Sequence, residues 1–265
     1  MRSVTLVGVP WDEQSSFMRG PAAAPDAIRR ALESPSSNLS TESGLEFGTD
    51  ALLADAGNVA IPSGDPAAAI EAILSAARRA SSGGAPVLAL GGDHAVTFPL
   101  VRACAERYPD LSILHLDAHP DLYDNFDGSC FSHACPFARI MEARLTARLV
   151  QVGIRTLNEP QRRQAERFRV EQIEMRHWTG QADLAFDGPV YVSLDLDVLD
   201  PAFAPGVSHH EPGGFSVREV LHIIQRFRGT LVGADVVELN PSRDRDGVTA
   251  TVAAKLVKEL AARML

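Results

Sequence analysis

Four aspartates and two histidines stand in three short motifs of this 265-residue chain, at spacings that suit a pair of divalent cations. His94 lies in Gly91-Gly92-Asp93-His94. Asp117, His119 and Asp121 lie in Leu116-Asp117-Ala118-His119-Pro120-Asp121, and Asp195 and Asp197 in Ser193-Leu194-Asp195-Leu196-Asp197. Each motif follows or lies within an apolar run that reads as a strand. Side chains alternate faces along an extended segment, so Asp117, His119 and Asp121 can share one side, and so can Asp195 and Asp197. Four carboxylates gathered without compensation repel, and some take up protons. Two M²⁺ ions supply the four positive charges that balance them. Any one motif alone reads equally well as a helix cap, a turn or a surface pair; three at strand ends make that reading weak. The donor set is rich in oxygen, with two imidazoles and no thiolate. It suits two Mn²⁺ and leaves Ni²⁺, Co²⁺ or Zn²⁺ open, whereas structural zinc more often recruits Cys.

The elements that must hold these residues alternate. Apolar runs at Val4–Val9, Val87–Leu90, Ser112–Asp117, Leu149–Val152, Val190–Leu196 and Leu231–Val237 are short and continuous, as strands buried on both faces of a parallel sheet should be. Helices are predicted over Ala22–Leu32, Pro66–Ala80, Pro99–Arg107, Pro136–Ala147, Pro160–Phe168, Val217–Arg226 and Val248–Arg263. Several open on Pro, which suits a first turn, and Ser216 with Glu219 has the spacing of a capping box. Strand–helix alternation predicts one three-layer α/β/α domain over residues 1–265, with a mostly parallel, doubly wound sheet. Ligands of such sheets bind beyond the carboxyl ends of the strands, where all three motifs fall.

A formal net charge of −9 argues against a nucleic-acid partner and agrees loosely with a cationic substrate. No apolar run approaches the ~20 residues of a membrane span, and the N-terminus reads as a strand instead of a leader peptide. Three cysteines, Cys104, Cys130 and Cys135, without zinc-like spacing, predict a reduced cytoplasmic protein. Cys130 and Cys135 flank His133 and could border the site.

These motifs also resemble those of the ureohydrolases, the arginase and agmatinase superfamily. The resemblance extends to Asp197-Val198-Leu199-Asp200-Pro201, Val237-Glu238-Leu239-Asn240-Pro241, Gly8-Val9-Pro10-Trp11-Asp12, Arg19-Gly20-Pro21 and Pro25-Asp26-Ala27-Ile28-Arg29, and so to nearly the whole chain. It implies hydrolysis of a guanidino compound to urea and an amine, in homo-oligomers (trimers or hexamers). Two cations a few ångströms apart can share a water and lower its pKa toward neutrality, and the poorly electrophilic guanidinium carbon needs such a nucleophile. The resemblance makes Asp117 and Asp195 the bridging ligands. It gives His94 and Asp121 to one ion and His119 and Asp197 to the other, with Asp121 orienting the attacking water. His133, in Phe131-Ser132-His133-Ala134-Cys135-Pro136-Phe137, matches the proton shuttle of agmatinases, a role suited to imidazole. Glu238 matches the acid that pairs with the guanidinium.

The substrate's tail should meet the residues after Asp121. Asp124 and Asp127 there would oppose a carboxylate and welcome an amine, so Asp124, with Asn125 beside it, is read as tail-binding and agmatine, giving putrescine, is the favoured substrate. Arginine, other guanidino acids, guanidine and formiminoglutamate are the alternatives within the family, and an amide-hydrolysing relative is a more distant one. Pro120 and Leu122 replace the threonines of many agmatinases. Asp93 and Asp200 read as turn residues, and His209 and His210 as solvated loop residues more readily than as the lining of a mouth.

Overall fold

The computed structural model describes residues 2–180 and 183–265. Eight strands form one sheet: β1 (Arg2–Gly8), β2 (Ala51–Asn58), β3 (Val87–Leu90), β4 (Ser112–Leu116), β5 (Arg148–Ile154), β6 (Glu171–Glu174), β7 (Ala185–Asp195) and β8 (Arg228–Val237). Their order is β2-β1-β3-β8-β7-β4-β5-β6 and every pairing is parallel. Seven helices connect them: α1 (Ala24–Leu32), α2 (Pro66–Ser81), α3 (Thr97–Ala105), α4 (Pro136–Glu142), α5 (Glu159–Phe168), α6 (Val217–Arg226) and α7 (Val248–Arg263). The six strands and seven helices expected from the sequence are present, with shifted ends. The largest shifts are five residues: β7 starts at Ala185 instead of Val190, and α4 stops at Glu142 instead of Ala147, with Arg144 just beyond it left-handed at φ 54°.

The two strands not expected, β2 and β6, are the edges of the sheet. β2 has only the short apolar start Ala51-Leu52-Leu53-Ala54 and is largely exposed, and β6 carries no apolar run, because an edge strand is not enclosed on all sides. The interior strands bury alternate residues in two cores. Leu88, Leu114, Leu116, Val192 and Leu194 pack beneath α1, α6 and α7, while Ala89, Ile113 and Tyr191 pack beneath α2, α3 and α4. The capping box of α6 is formed, with Ser216 Oγ accepting from Glu219 N and Glu219 accepting from Ser216 N. Among the described residues, no helix is long and apolar enough to cross a membrane.

The strand order decides where the chemistry sits. β3, β8, β7 and β4 are consecutive neighbours at the centre of the sheet. His94 follows β3, Asp117 follows β4, Asp195 ends β7 and Glu238 follows β8. Four segments distant in the chain are thereby delivered to one edge.

Candidate metal centre and active site

β3 runs into Gly91 and Gly92, which let two other segments come close. A Cβ on Gly92 would lie 1.8 Å from the Trp11 carbonyl oxygen, and that carbonyl instead accepts from Asp93 N at 2.9 Å. Asp93 binds turn backbone, accepting from Gln14 N and Ala95 N, and Asp200 does the same for Ala202, Gly213 and Gly214. His94 then points into the site fully buried.

The structure brings all six candidate ligands together. His94 Nδ1 lies 3.1 Å from Asp117 Oδ2, 3.1 Å from Asp121 Oδ2 and 3.3 Å from Asp195 Oδ2. His119 Nδ1 lies 3.4 Å from Asp117 Oδ1 and 3.0 Å from Asp197 Oδ2. Asp117 thus has one oxygen toward each imidazole, while Asp121 sits with His94 and Asp197 with His119. The second oxygens of Asp195 and Asp197 bind backbone, accepting from Asp197 N at 2.8 Å and Ala118 N at 3.2 Å.

Strand alternation is not what gathers them. β4 ends at Leu116, before its three ligands, and Asp121 turns back in a left-handed conformation with φ 48°. Asp197 sits in a single 3₁₀ turn after Asp195. Glu238 is also left-handed, φ 65°, with its N–H bonded to the Gly92 carbonyl at 2.9 Å. Non-glycine residues hold such conformations only where the surroundings enforce them.

The donor set fits a metal pair. His94 Nδ1 is buried and meets no hydrogen-bond partner, although three carboxylate oxygens surround it. A buried nitrogen so placed is costly and is the arrangement a cation between the four groups would complete. His119, Asp117 and Asp197 form a second compact group of donors. Burial, then the charges of Asp197 and Asp117, pushes the Asp195 carboxyl well above its usual range. Burial favours neutral His94 and His119, but the facing carboxylates outweigh it and hold both well above the ordinary imidazole value. The metal-free site therefore stores protons that a cation must displace. Metal uptake is expected to release protons, and metal affinity to fall steadily as pH is lowered. Calorimetric titration in two buffers of different ionisation enthalpy counts those protons, and finding none would contradict this protonation.

Behind the ligands lies a buried polar layer that the sequence reading passed over. His94 Nε2 pairs with Ser193 Oγ at 2.9 Å, and Ser193 Oγ donates to Asp235 Oδ1 at 2.8 Å. Tyr191 and Thr97 hydroxyls donate to the other Asp235 oxygen at 2.8 and 3.0 Å. On the far side, the Gln151 amide donates to His115 Nδ1, which leaves His115 Nε2–H to donate to Asp117 Oδ2 at 2.7 Å. Such partners fix ligand tautomer and direction. Asp235→Ala should weaken the ion held through His94 by about 10- to 100-fold, and a metal-binding titration checks it. The signal was available: Asp235 and His115 are polar residues inside otherwise apolar central strands, where burial demands a partner.

Beside the donors opens a cavity of about 250 Å³, lined by Ser16, His119, Asp121, Tyr123, Phe126, His133, Thr156, Asn158, Gln161, His209 and Glu238, among others. His133 Nδ1 lies 3.0 Å from Glu238 Oε1, and His133 Nε2 pairs with Ser16 Oγ at 2.9 Å. Burial pulls His133 toward its neutral form, yet the hydrogen bond and charge of Glu238 prevail and raise it to about 9. Glu238 Oε2 is buried and has no partner.

Three expectations change. Asp124 and Asn125 do not line the cavity: both are exposed, Asp124 accepts from Arg139 at 3.0 Å, and Asn125 caps the turn at Gly128. Tyr123 and Phe126 on the same loop face inward instead, because their rings have apolar surface to bury. His209 is no solvated loop residue; its ring is 5.0 Å from that of His133 and 6.1 Å from that of His119. His210 is exposed, bonded to the Pro205 carbonyl. Cys130 and Cys135 lie off the cavity wall, and burial pushes the Cys135 thiol up to about 12, beyond a nucleophile's range.

Known proteins share this plan. The family model described as "Arginase family" matches residues 2–262. The chain is 47% identical to mitochondrial arginase 1 of Arabidopsis thaliana over 99% of its own length and 81% of that protein, and 31% identical to the agmatinase of Bacillus subtilis over 96% and 89%. The solved structure of the arginase from Medicago truncatula superposes with a TM-score of 0.93 at 43% identity, covering 99% of this chain and 87% of that one. Likeness of this extent, over the segments that carry the six donors, makes the chain a member of the arginase family, hydrolases of the carbon–nitrogen bonds of amidines and guanidines.

Proposed function

We propose that the protein is an arginase that hydrolyses L-arginine to L-ornithine and urea on a pair of Mn²⁺ ions. The observation that carries this reading is the identity of 47% to a plant arginase against 31% to an agmatinase, each over nearly the whole chain. Agmatine, the substrate the sequence favoured, rested on acidic residues meeting the substrate's tail and on the Ser-His-x-x-Pro-Phe element around His133. Asp124 is exposed and paired with Arg139, so that support falls away. The cavity lining also offers neutral hydroxyl and amide groups, Tyr123, Thr156, Asn158 and Gln161, which suit a zwitterionic tail. Assembly into trimers or hexamers belongs to the same proposal.

His94, Asp117, His119, Asp121, Asp195 and Asp197 would hold the pair. When bound, it supplies a nucleophilic water near neutral pH. Asp121, a donor at the cavity wall beside His94, would be the residue that orients the attacking water. Glu238 Oε2, unpartnered and buried, receives the guanidinium. Burial raises the Glu238 carboxyl, but its bond to His133 outweighs that and keeps it ionised. His133 holds a proton beside Glu238, where the leaving amine must take one up. Glu238→Gln should raise KM by about 10- to 100-fold through loss of a charge-assisted contact, with two metal ions still bound; metal loss would mean Glu238 has another role.

Urea release by Mn²⁺-loaded protein from L-arginine, agmatine, 4-guanidinobutyrate and guanidine tests the reading. Arginine should exceed agmatine in kcat/KM by about 100-fold or more, as expected of a site that hydrogen-bonds the missing groups. Equal or better turnover of agmatine would overturn it.

A further inference from the structure

We infer that His133, His209 and Glu238 form a third cation site, one that takes Zn²⁺ or a similar late divalent ion and blocks the seat of the guanidinium. One donor atom from each of the three lies within 4.8 Å of the others. None of the three belongs to the six donors of the metal pair. Glu238 Oε2 is buried and unpartnered, and it is a ligand atom already stripped of water.

The contacts of His133 point the same way. Its Nδ1 lies 3.0 Å from Glu238 Oε1, joined to it by a proton that a cation can replace, while Ser16 Oγ sits 2.9 Å from Nε2. A ligating histidine is ordinarily held by just such a bond through its other nitrogen. His209 closes the third side, its ring 5.0 Å from that of His133 and tilted by 34°.

Two imidazoles and one carboxylate with an open fourth position form a donor set that zinc accepts. The affinity order of divalent metals places Zn²⁺ far above Mn²⁺ on such a site, so manganese would fill the pair and leave this group empty. Repulsion from the pair is small, because two dications among four aspartates carry no net charge. An ion here occupies Glu238 and His133 at once, so it excludes the guanidinium and removes the proton donor.

The inhibition rests on the arginine reading; the binding does not, and the experiment separates them. Protein loaded with two Mn²⁺ per chain is equilibrated with buffered Zn²⁺ and both metals are counted. The expected result is two Mn²⁺ and one Zn²⁺ in the wild type. In His209→Ala, both Mn²⁺ should remain and Zn²⁺ should bind about 100-fold more weakly. Where arginine is turned over, Zn²⁺ should inhibit in competition with it. Replacement of Mn²⁺ by Zn²⁺ one for one, at a total of two ions, would overturn the inference. So would a third ion that binds equally well to His209→Ala.

Discussion

Asp117→Ala is expected to lower turnover by more than about 10³-fold, since a bound metal supplies several kcal/mol of charge stabilisation in such a reaction. Among the six donors, Asp117 alone faces both imidazoles, with Oδ2 3.1 Å from His94 Nδ1 and Oδ1 3.4 Å from His119 Nδ1. Removing it would take one donor oxygen from each half of the site. It also removes the partner of His115, so a buried imidazole loses its acceptor. Burial alone would raise the Asp117 carboxyl, but His115, His119 and His94 hold it well below the usual range. These neighbours favour the ionised carboxylate, the form that ligates a cation. Manganese content and urea release should fall together. Full turnover with both ions retained would show that the two ions do not share Asp117.

His133→Asn should cut kcat by about 10²- to 10⁴-fold, the usual worth of a positioned acid or base, and leave the manganese count at two. The histidine touches none of the six donors in the contacts that hold it; its partners are Ser16 and Glu238. The pH dependence gives a second readout. With its folded value raised to about 9, His133 carries its proton at neutral pH and loses it as pH rises through that value. A descending alkaline limb of kcat is expected in the wild type and should vanish in the variant. A variant that keeps the full wild-type rate would remove His133 from the chemistry.

The ligand set was legible because it is compressed into motifs a few residues long, each at the end of an apolar run. The geometry was not, since it comes from turns: a left-handed Asp121 and a 3₁₀ turn at Asp197 do what strand alternation was expected to do. Central strands announced themselves by continuous burial, while the edge strands β2 and β6, partly open to solvent, did not. His209 was misjudged because its neighbours, His133 and Phe17, come from distant segments. Asp124 misled for the opposite reason. Its place in the chain beside Asp121 says nothing of its direction, and an arginine on α4, Arg139, claims it. The acidic support for agmatine goes with that residue, and the higher identity to arginases fits arginine better.

The most direct test follows urea and ornithine from L-arginine while metal-free protein is titrated with Mn²⁺. Turnover should rise with added metal and level off at two ions per chain, with one urea formed for each ornithine. A plateau at one ion, or no urea from arginine with two ions bound, would contradict hydrolysis of arginine by a paired metal centre on these six residues.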